Sequence, residues 1–343
     1  MRPICQIHRL SIIVLLITTL VLAYCIPPVS AVTITDDAGR GVSLNATPMR
    51  IVSLAPSNTE ILGALGLLDR VVGVTDVCDY PPEVKNLTRI GGYSSLSTEK
   101  IAAVRPDLVL ASDITPAESV QRLQEIGLTV VVIAPRNINE TILDIRLIGN
   151  LTGTESRADT LAANLSSRLT AIASVAPAGK RPTVAHVVWD DPIYVSGNDT
   201  LQNDVIEHAG GINAFANVSG WGTISLENFL IKNPDIIIVS GGGGMDNGTR
   251  DVILDDFMTK PQYASLSAVK NHHVYAMNAD VISRAGPRIV DATEQVAEDI
   301  RAAGRTDETA HESATPTLTS PGFCTGSAIL LLCLIFSFRR GRP

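Results

Sequence analysis

A pattern that occurs twice constrains this chain more than any other feature of its sequence. Residues 97–112 read SerThrGluLysIleAlaAlaValArgProAspLeuValLeuAlaSer, and residues 225–240 read SerLeuGluAsnPheLeuIleLysAsnProAspIleIleIleValSer. Five positions carry the same residue in the two copies, at a constant separation of 128 residues. Either the chain contains two similar halves, which we favour, or the match arises by chance from a motif that is common in α/β proteins.

Each copy predicts a short helix followed by a buried strand. Ser97 and Ser225 can cap the first turn of a helix, because a serine hydroxyl accepts from a free backbone N–H. Glu99 and Glu227 then lie where the helix dipole favours an anion. The residue before each proline is pushed out of the helical region, so the helix must end there. Four apolar residues without polar alternation follow, as is typical of a strand buried on both faces of a parallel sheet.

The rest of the chain continues this alternation and predicts an α/β fold with two Rossmann-like lobes. Strands are expected at residues 50–54, 71–74 and 129–133 in the first lobe, and from 183–189 onward in the second. Ser57 and Glu60 form the pattern of a capping box, which would begin a helix directly after the first of these strands. Residues 137–176 are the longest helical stretch, either continuous or broken near residues 149–153. We therefore predict lobes at 32–136 and 177–304 that are joined by a single long α-helix.

Two lobes that are joined in this way imply a ligand cleft between them. In α/β sheets, ligands bind beyond the carboxyl ends of the strands. The loops expected to frame the cleft are residues 55–58, 78–82, 92–96, 195–198, 220–223 and 280–286.

The two ends of the chain predict export and tethering. Residues 1–31 have a basic start at Arg2 and Arg9, an apolar core and a final ValSerAla, which are the features of a secretory signal peptide. A linker containing threonine and serine at 305–320 precedes an anchor segment at 321–343. That segment begins ProGlyPhe, continues apolar and ends in a basic run, and it resembles the archaeal sorting signal PGF-CTERM. The resemblance implies removal of the tail and attachment of a lipid, the alternative being a short membrane helix. Both predict an extracellular, membrane-anchored protein at the cell surface.

Charge and cysteine content exclude several classes of function. Five of the 27 basic residues and none of the 35 acidic residues lie in the two ends, so residues 32–320 carry 22 basic and 35 acidic groups, a formal charge of −13. This balance argues against a nucleic-acid-binding protein, which would need a basic face. Cys78 is the only cysteine between the two ends, so we expect neither an internal disulfide nor a cysteine metal cluster. No hydrolase or phosphate-loop motif is present. We therefore expect no enzyme activity, resident cofactor or metal site.

Eight AsnXaaSer/Thr sequons are compatible with glycosylation of the surface. They begin at Asn45, Asn86, Asn139, Asn150, Asn164, Asn198, Asn217 and Asn247.

Four motifs in order resemble the class III substrate-binding proteins of ABC importers, which have a helical backbone and bind vitamin B12, ferric siderophores or haem. They are ArgIleValSerLeuAlaProSerAsnThrGluIle at 50–61, AspTyrProPro at 79–82, the first repeat copy, and ArgAlaGlyProArg at 284–288. The likeness covers about residues 50–303. It implies a protein that captures a corrinoid such as cobalamin, or an iron chelate. The protein would deliver that ligand to a membrane permease driven by a cytoplasmic ATPase.

The resemblance also implies roles for particular residues. Glu99 and Glu227 would dock onto arginines of the permease, the alternative being that both serve only the helix dipole.

The ligand contacts implied by the resemblance lie in the predicted cleft loops. Tyr93 and Trp221 fall where the B12-binding member places tryptophans, although Trp221 could instead pack within its lobe. Tyr80, Asp280 and Arg284 are the further expected contacts. An aromatic ring suits this task because it covers a flat apolar surface while losing little conformational entropy.

The identity of the ligand and two other functional classes stay open at this point. Val281 and Ile282 follow Asp280 where the B12 pattern would favour aromatics, which puts B12 itself in doubt. A tethered surface sensor or adhesion module would use the same cleft without a permease. A nitrogenase-like metallocentre enzyme is the least supported alternative, because it would need several cysteines.

Overall fold

The computed structural model of the protein describes residues 32–92, 95–175, 179–241 and 252–313, the side chains of 306–313 excepted. The predicted signal peptide, the anchor segment and the predicted ligand contact Tyr93 lie outside the described residues. None of the described helices combines the length and the apolar character that are needed to cross a membrane.

The N-terminal lobe is built on a four-stranded parallel sheet. Its elements in chain order are β1 (Val32–Thr35), β2 (Gly41–Leu44), β3 (Ile51–Ser53), α1 (Pro56–Ala64), β4 (Val71–Val74), β5 (Gly91–Gly92), β6 (Ser95–Leu96), α2 (Thr98–Ala103), β7 (Leu108–Ala111), α3 (Ala117–Glu125) and β8 (Val130–Val132). The strand order is β4-β3-β7-β8, and β1 and β2 form a separate antiparallel hairpin. The carboxyl ends of the four parallel strands all lie at one edge of the sheet.

Two packed helices connect the lobes, α4 (Ile138–Thr152) and α5 (Glu155–Ser174). Gly153 separates them in a left-handed conformation, with φ 67°, which glycine adopts without the cost of a Cβ. The chain reverses direction at this break, which brings Arg146 Nε of α4 to within 3.3 Å of Asp159 Oδ1 of α5. A side chain at Gly149 would overlap Ala158. The prediction of a single long helix is therefore wrong, and the alternative of a break near residues 149–153 is confirmed.

The C-terminal lobe is built on a mixed sheet. Its elements in chain order are β9 (Thr183–Asp190), β10 (Ile193–Ser196), α6 (Leu201–His208), β11 (Ile212–Asn213), β12 (Trp221–Ile224), α7 (Leu226–Lys232), β13 (Ile236–Gly241), α8 (Val252–Thr259), α9 (Ser267–Lys270), β14 (Val274–Asn278), α10 (Ala279–Ser283) and α11 (Ile289–Ser313). The strand order is β12-β10-β9-β13-β14, and β11 pairs with the start of β9. Strands β9, β13 and β14 are parallel, whereas β10 runs antiparallel to β9 and β12. The antiparallel strands β10 and β12 add to one edge of this sheet, beside the carboxyl-terminal half of β9.

The repeated sequence pattern forms the same structural unit in both lobes. Ser97 accepts from the backbone N–H of the residue three positions later, and Ser225 does the same, each over 3.2 Å. Both helices end at a left-handed residue, Arg105 with φ 45° and Asn233 with φ 40°, which are again 128 residues apart. The predicted repeat is therefore confirmed as a helix–strand unit, β7 following α2 and β13 following α7.

The repeated aspartate joins this unit to the neighbouring strand. Asp107 accepts from the backbone N–H groups of Met49 and Arg50, over 2.8 and 2.9 Å, just before β3. Asp235 accepts from the backbone N–H and the hydroxyl of Thr183 at the start of β9, both over 2.8 Å. In each lobe the carboxylate therefore fixes the start of the adjacent parallel strand.

One apolar core extends through both lobes. The same buried cluster includes Ile61 of the N-terminal lobe, Ile145 and Leu165 of the connecting helices, and Ile236 and Val296 of the C-terminal lobe. The buried side chains of α4, α5 and α11 thus form a common helical spine. Because protein cores are close-packed, this arrangement limits how far the lobes can move relative to each other.

Candidate ligand-binding cleft

A cavity of about 420 Å³ lies between the lobes. Loops after β3, β7 and β8 line it from one side, and loops after β10 and α10 line it from the other. The lining residues are Ala55, Pro56, Ser57, Ser112, Asp113, Ile114, Ile133, Pro135, Arg136, Asp199, Thr200, Leu201, Gln202, Trp221, Ser283, Arg284 and Ala285. This is the position at the carboxyl ends of the strands where α/β sheets hold ligands.

The predicted cleft loops account for only part of this lining. The loops at 55–58, 220–223 and 280–286 contribute to the cavity as expected. Residues 112–114, Ile133, Pro135 and Arg136 also line it, and the sequence did not predict them. The loop at 78–82 instead borders a second, smaller cavity.

Trp221 begins β12 and contributes an aromatic surface to the cleft. Its side chain is 39% exposed, so it is not simply packed inside the lobe. Its ring stacks on that of Tyr194 with a centroid distance of 5.9 Å and an interplanar angle of 12°. Tyr194 is 38% exposed and was not predicted. The two rings form a flat apolar face, in which Trp221 lines the cavity and Tyr194 lies beside it.

A buried polar layer supports this aromatic face. The ring of His186 meets Trp221 edge-on, with the centroids 6.0 Å apart. His186 Nδ1 lies 3.1 Å from Ser196 Oγ, and its Nε2 lies 2.9 Å from Ser240 Oγ. Burial lowers the pKa of His186 to about 4, so the ring is neutral at physiological pH. Hydrogen bonds at both nitrogens fix the ring, which in turn positions Trp221.

Arg284 lines the cleft, but carboxylates surround its guanidinium. It bonds Asp79 over 2.7 Å, Asp280 over 2.9 Å and Glu60 over 3.2 Å, and its side chain is only 11% exposed. Burial acts to lower the pKa of Arg284, yet these carboxylates raise it above its usual value. The structure thus brings the predicted contacts Arg284 and Asp280 together, and the positive charge between them is already balanced.

Tyr80 lies outside this cavity. Arg288 places its guanidinium 3.9 Å above the centroid of the Tyr80 ring, and both residues border a second cavity of about 230 Å³. The same guanidinium bonds both carboxylate oxygens of Glu60, over 2.6 and 3.0 Å.

The predicted capping box of Ser57 and Glu60 is wrong. Glu60 is buried and pairs with arginines of the other lobe, and Ala55 precedes α1 without a side-chain cap.

Glu99 and Glu227 occupy equivalent positions in the first turns of α2 and α7. Each helix leads directly into a parallel strand, so its N-terminus lies at the carboxyl edge of the sheet, on the cleft side. The backbone N–H of Glu99 and the hydroxyl of Ser97 lower the pKa of the Glu99 carboxyl. Ile231 lies one turn after Glu227 and is 72% exposed.

The sequence carries little signal for the residues that it failed to predict. Tyr194 alternates with buried neighbours along β10 in the structure, but the sequence IleTyrVal at 193–195 is apolar throughout and does not reveal the outward face. Arg288 closes the ArgAlaGlyProArg motif, but no pattern shows that its partner is Glu60, 228 residues away.

Comparison with known proteins fits this architecture. The model of the periplasmic binding protein family matches residues 51–281. The chain belongs to this family. The uncharacterised ABC transporter substrate-binding lipoprotein YvrC of Bacillus subtilis is 33% identical over 277 residues, covering 78% of this periplasmic binding protein and 85% of the relative.

Two solved structures match this periplasmic binding protein equally well. The vitamin B12-binding protein BtuF of Vibrio cholerae is 28% identical with a TM-score of 0.66, covering 75% of this chain and 98% of that one. The haem-binding protein RhuT of Roseiflexus is also 28% identical, with a TM-score of 0.65 and coverage of 74% and 98%. The class III fold with two α/β lobes is thereby confirmed. Since the two proteins bind different ligands, their similarity alone does not select a ligand for this chain.

Proposed function

We propose that this protein is the extracellular substrate-binding component of an ABC importer and that its cargo is a corrinoid such as cobalamin. The observation that carries the proposal is the exposed ring of Trp221, which lines the cleft between the lobes and stacks on the exposed ring of Tyr194. A corrin ring is broad and flat and can cover such a face. An iron chelate, either haem or a ferric siderophore, is the alternative cargo.

The charge balance of the cleft supports a corrinoid over an anionic chelate. Asp113, Arg136, Asp199 and Arg284 are the charged residues that line the cavity in the described part of the chain, two of each sign. Arg284 already faces three carboxylates, and Arg136 is highly exposed and lies 3.8 Å from a carboxylate of Glu140. An anionic siderophore would need uncompensated cations, because charges across an interface must be complementary. A corrinoid presents amide groups around an apolar ring and needs no such excess.

Titration of the purified protein with four ligands tests the proposed cargo. We expect one-to-one calorimetric binding of cyanocobalamin and dicyanocobinamide, and much weaker binding of the two anionic chelates haemin and ferric enterobactin. Trp221→Ala should weaken corrinoid binding about tenfold, because the ring provides a large apolar contact. Tight binding of haemin or ferric enterobactin alone would replace the corrinoid by an iron chelate. Tyr80, Tyr93, Asp280 and Arg284 stay predicted ligand contacts, to be tested by alanine variants in the same titration.

The proposed delivery to a permease rests on Glu99 and Glu227. Both carboxylates lie at the start of a helix on the cleft side of their lobe, and exposed Ile231 would add an apolar contact beside Glu227. We expect the double variant Glu99→Ala/Glu227→Ala to abolish corrinoid uptake by cells while the dissociation constant of the purified protein stays unchanged. Unimpaired uptake would favour the alternative, a surface sensor that does not dock.

Tethering at the cell surface is the remaining part of the proposal. It is supported by the apolar ends of the sequence and by the description of the Bacillus relative as a lipoprotein. We expect the mature protein to fractionate with membranes and to begin at residue 32. Mass spectrometry of its last peptide would distinguish a lipid-modified end after tail removal from a retained membrane helix.

A further inference from the structure

The fold divides the predicted glycosylation sequons into two groups. Asn247 lies outside the described residues. In four of the other seven, the hydroxyl two positions after the asparagine donates to a backbone carbonyl. In the remaining three, the asparagine and the hydroxyl-bearing residue are both exposed and lie outside the α-helices. Because the sequon is defined by both side chains, a glycosyltransferase must engage both of them in the same active site.

Helical geometry closes the sequons of Asn139, Asn150 and Asn164. The three asparagines are exposed but belong to α4 and α5. An α-helix turns by about 100° per residue, so side chains two positions apart point to nearly opposite sides of it. The hydroxyl two positions after each asparagine also donates to the carbonyl one helical turn earlier, over 2.7 to 3.0 Å. A transferase cannot engage the amide and the hydroxyl together unless the helix unwinds.

Burial closes the sequon of Asn198. Its amide oxygen Oδ1 is buried and has no hydrogen-bond partner in the described part of the chain. Thr200, which supplies the hydroxyl, is 7% exposed. That hydroxyl donates to the backbone carbonyl of Gly197 over 2.8 Å and accepts from the backbone N–H of Asn203 over 3.2 Å, which caps the start of α6. To engage this hydroxyl, a transferase would have to break the cap.

Asn86 and Asn217 begin sequons that stay open in the folded protein. Both asparagines are exposed, and so are Thr88 and Ser219, which carry the hydroxyls. Asn86 ends a short 3₁₀ turn, and Leu87 after it is extended, with φ −81° and ψ 154°. Side chains on either side of an extended residue point to the same side of the chain. Asn217 lies outside the helices, in the loop between β11 and β12.

Asn45 is the third exposed asparagine outside the helices, but a proline follows its sequon. Pro48 comes directly after Thr47 and has no backbone N–H. A peptide that binds in an extended form is held through its backbone hydrogen bonds, so Pro48 removes a contact at this end of the sequon. The structure therefore favours two sites over three.

We propose that the protein is N-glycosylated at Asn86 and Asn217, one site on each lobe, and that its helical and buried sequons stay unmodified. The donor is a lipid-linked oligosaccharide. In the transfer, the bond between the anomeric carbon of the sugar and the lipid phosphate breaks, and that carbon bonds to Nδ2 of the asparagine. The amide loses one proton, and the lipid phosphate leaves. This inference does not depend on the identity of the cargo.

Glycopeptide mass spectrometry of the protein from its own cells tests the assignment. We expect the peptides of Asn86 and Asn217 to carry a glycan and those of the helical and buried sequons to lack one. Thr88→Ala and Ser219→Ala should each lower the intact mass by one glycan, because the hydroxyl is required. Ser166→Ala is the matched control, since it removes the hydroxyl of an exposed but helical sequon, and it should leave every glycan in place.

Transfer in vitro shows whether the fold is the cause. Unglycosylated protein is made in cells that lack the transferase and is then incubated with purified oligosaccharyltransferase and its lipid-linked donor. Synthetic peptides that span the sequons of Asn164 and Asn217, which both end in serine, provide the comparison. We expect both peptides to be modified, whereas only Asn217 of this pair is modified in the folded protein.

The pattern of occupied sequons decides the outcome. A glycan missing from Asn86 or Asn217 in the native protein would overturn the inference. A glycan at Asn164 would also overturn it, because the sites would then be selected before α5 forms. Failure to bind either corrinoid would change the proposed cargo and leave the two glycans in place, so the two proposals fail separately.

Discussion

Asp144 shows how its surroundings change the chemistry of a single side chain. It lies on α4, is only 5% exposed, and one of its carboxyl oxygens has no hydrogen-bond partner among the described residues. Burial, the nearby carboxylate of Asp37 and the charge of Glu140 raise the pKa of Asp144 to about 8. In the unfolded chain an aspartate titrates near 4. The folded protein therefore holds a proton at Asp144 at neutral pH, and the unfolded chain does not.

Asp144 makes stability depend on pH in a defined direction. Because its pKa is higher in the folded state, its contribution is fully present below about pH 4 and is lost as the pH rises through about 8. Asp144→Asn removes this dependence. The free energy of unfolding of the variant, relative to the unmodified protein, should increase by roughly 1–3 kcal/mol between pH 5.5 and 8.5. Urea denaturation of both proteins at the two pH values measures this difference. If the free energies of unfolding of both proteins changed equally with pH, the raised pKa of Asp144 would be contradicted.

The helix–strand unit that the sequence repeats is the clearest element of the fold. In both lobes an aspartate at the start of the strand accepts two hydrogen bonds from the beginning of the neighbouring strand. A hydrogen bond to a charged group stabilises a protein more than a hydrogen bond between neutral groups does. Its contribution is about 1.5–3 kcal/mol when it is shielded from water. These carboxylates are exposed, so a smaller value is expected.

Removal of either aspartate should therefore have a similar effect. Asp107→Ala and Asp235→Ala should each lower the free energy of unfolding by about 1–2 kcal/mol, because two donors lose their acceptor. Asp69→Ala, at another exposed aspartate, should change it by less than about 0.5 kcal/mol. Chemical denaturation of the three variants provides the comparison. A large difference between the losses for Asp107→Ala and Asp235→Ala would show that the two copies share a conformation but contribute differently to stability.

This element also shows which features can be predicted from one sequence. The cap at Ser97, the helix end before the proline and the strand after it all depend on residues a few positions apart, so local patterns predict them. Glu60 has the local pattern of a capping box, yet its partners lie 224 and 228 residues away. Tyr194 and Trp189 likewise become neighbours only through strand pairing. Local patterns therefore predict the two lobes, whereas the ion pairs of Glu60 and the stacking of Trp221 on Tyr194 depend on long-range packing.

Ion pairs and a shared apolar core join the two lobes of the molecule, in addition to the connecting helices. Glu60 of the N-terminal lobe bonds Arg284 and Arg288 of the C-terminal lobe, and its side chain is 1% exposed. Arg168 of α5 adds ion pairs to Asp291 and Glu294 of α11, both at 2.6 Å. Together with the shared apolar core, these contacts fix the arrangement of the lobes.

Loss of the buried charge should be much more costly than loss of an exposed one. Glu60→Gln takes from Arg288 its bidentate carboxylate and from Arg284 one of its three, and it should lower the free energy of unfolding by roughly 2–4 kcal/mol. Glu118→Gln breaks an ion pair that is 81% exposed on the glutamate side and should cost less than about 0.5 kcal/mol. Urea unfolding of both variants measures the difference. Equal, small losses would mean that the Glu60 pairs do not hold the lobes together.

The Glu60 ion pairs have a consequence for the rate at which cargo is taken up and given away. A cleft whose walls are held in place before the ligand arrives needs no slow rearrangement, so the observed association rate should rise linearly with ligand concentration, without a plateau. The same rigidity slows spontaneous escape. In the proposed delivery to a permease, separation of the lobes would have to break the bonds between Glu60 and the two arginines.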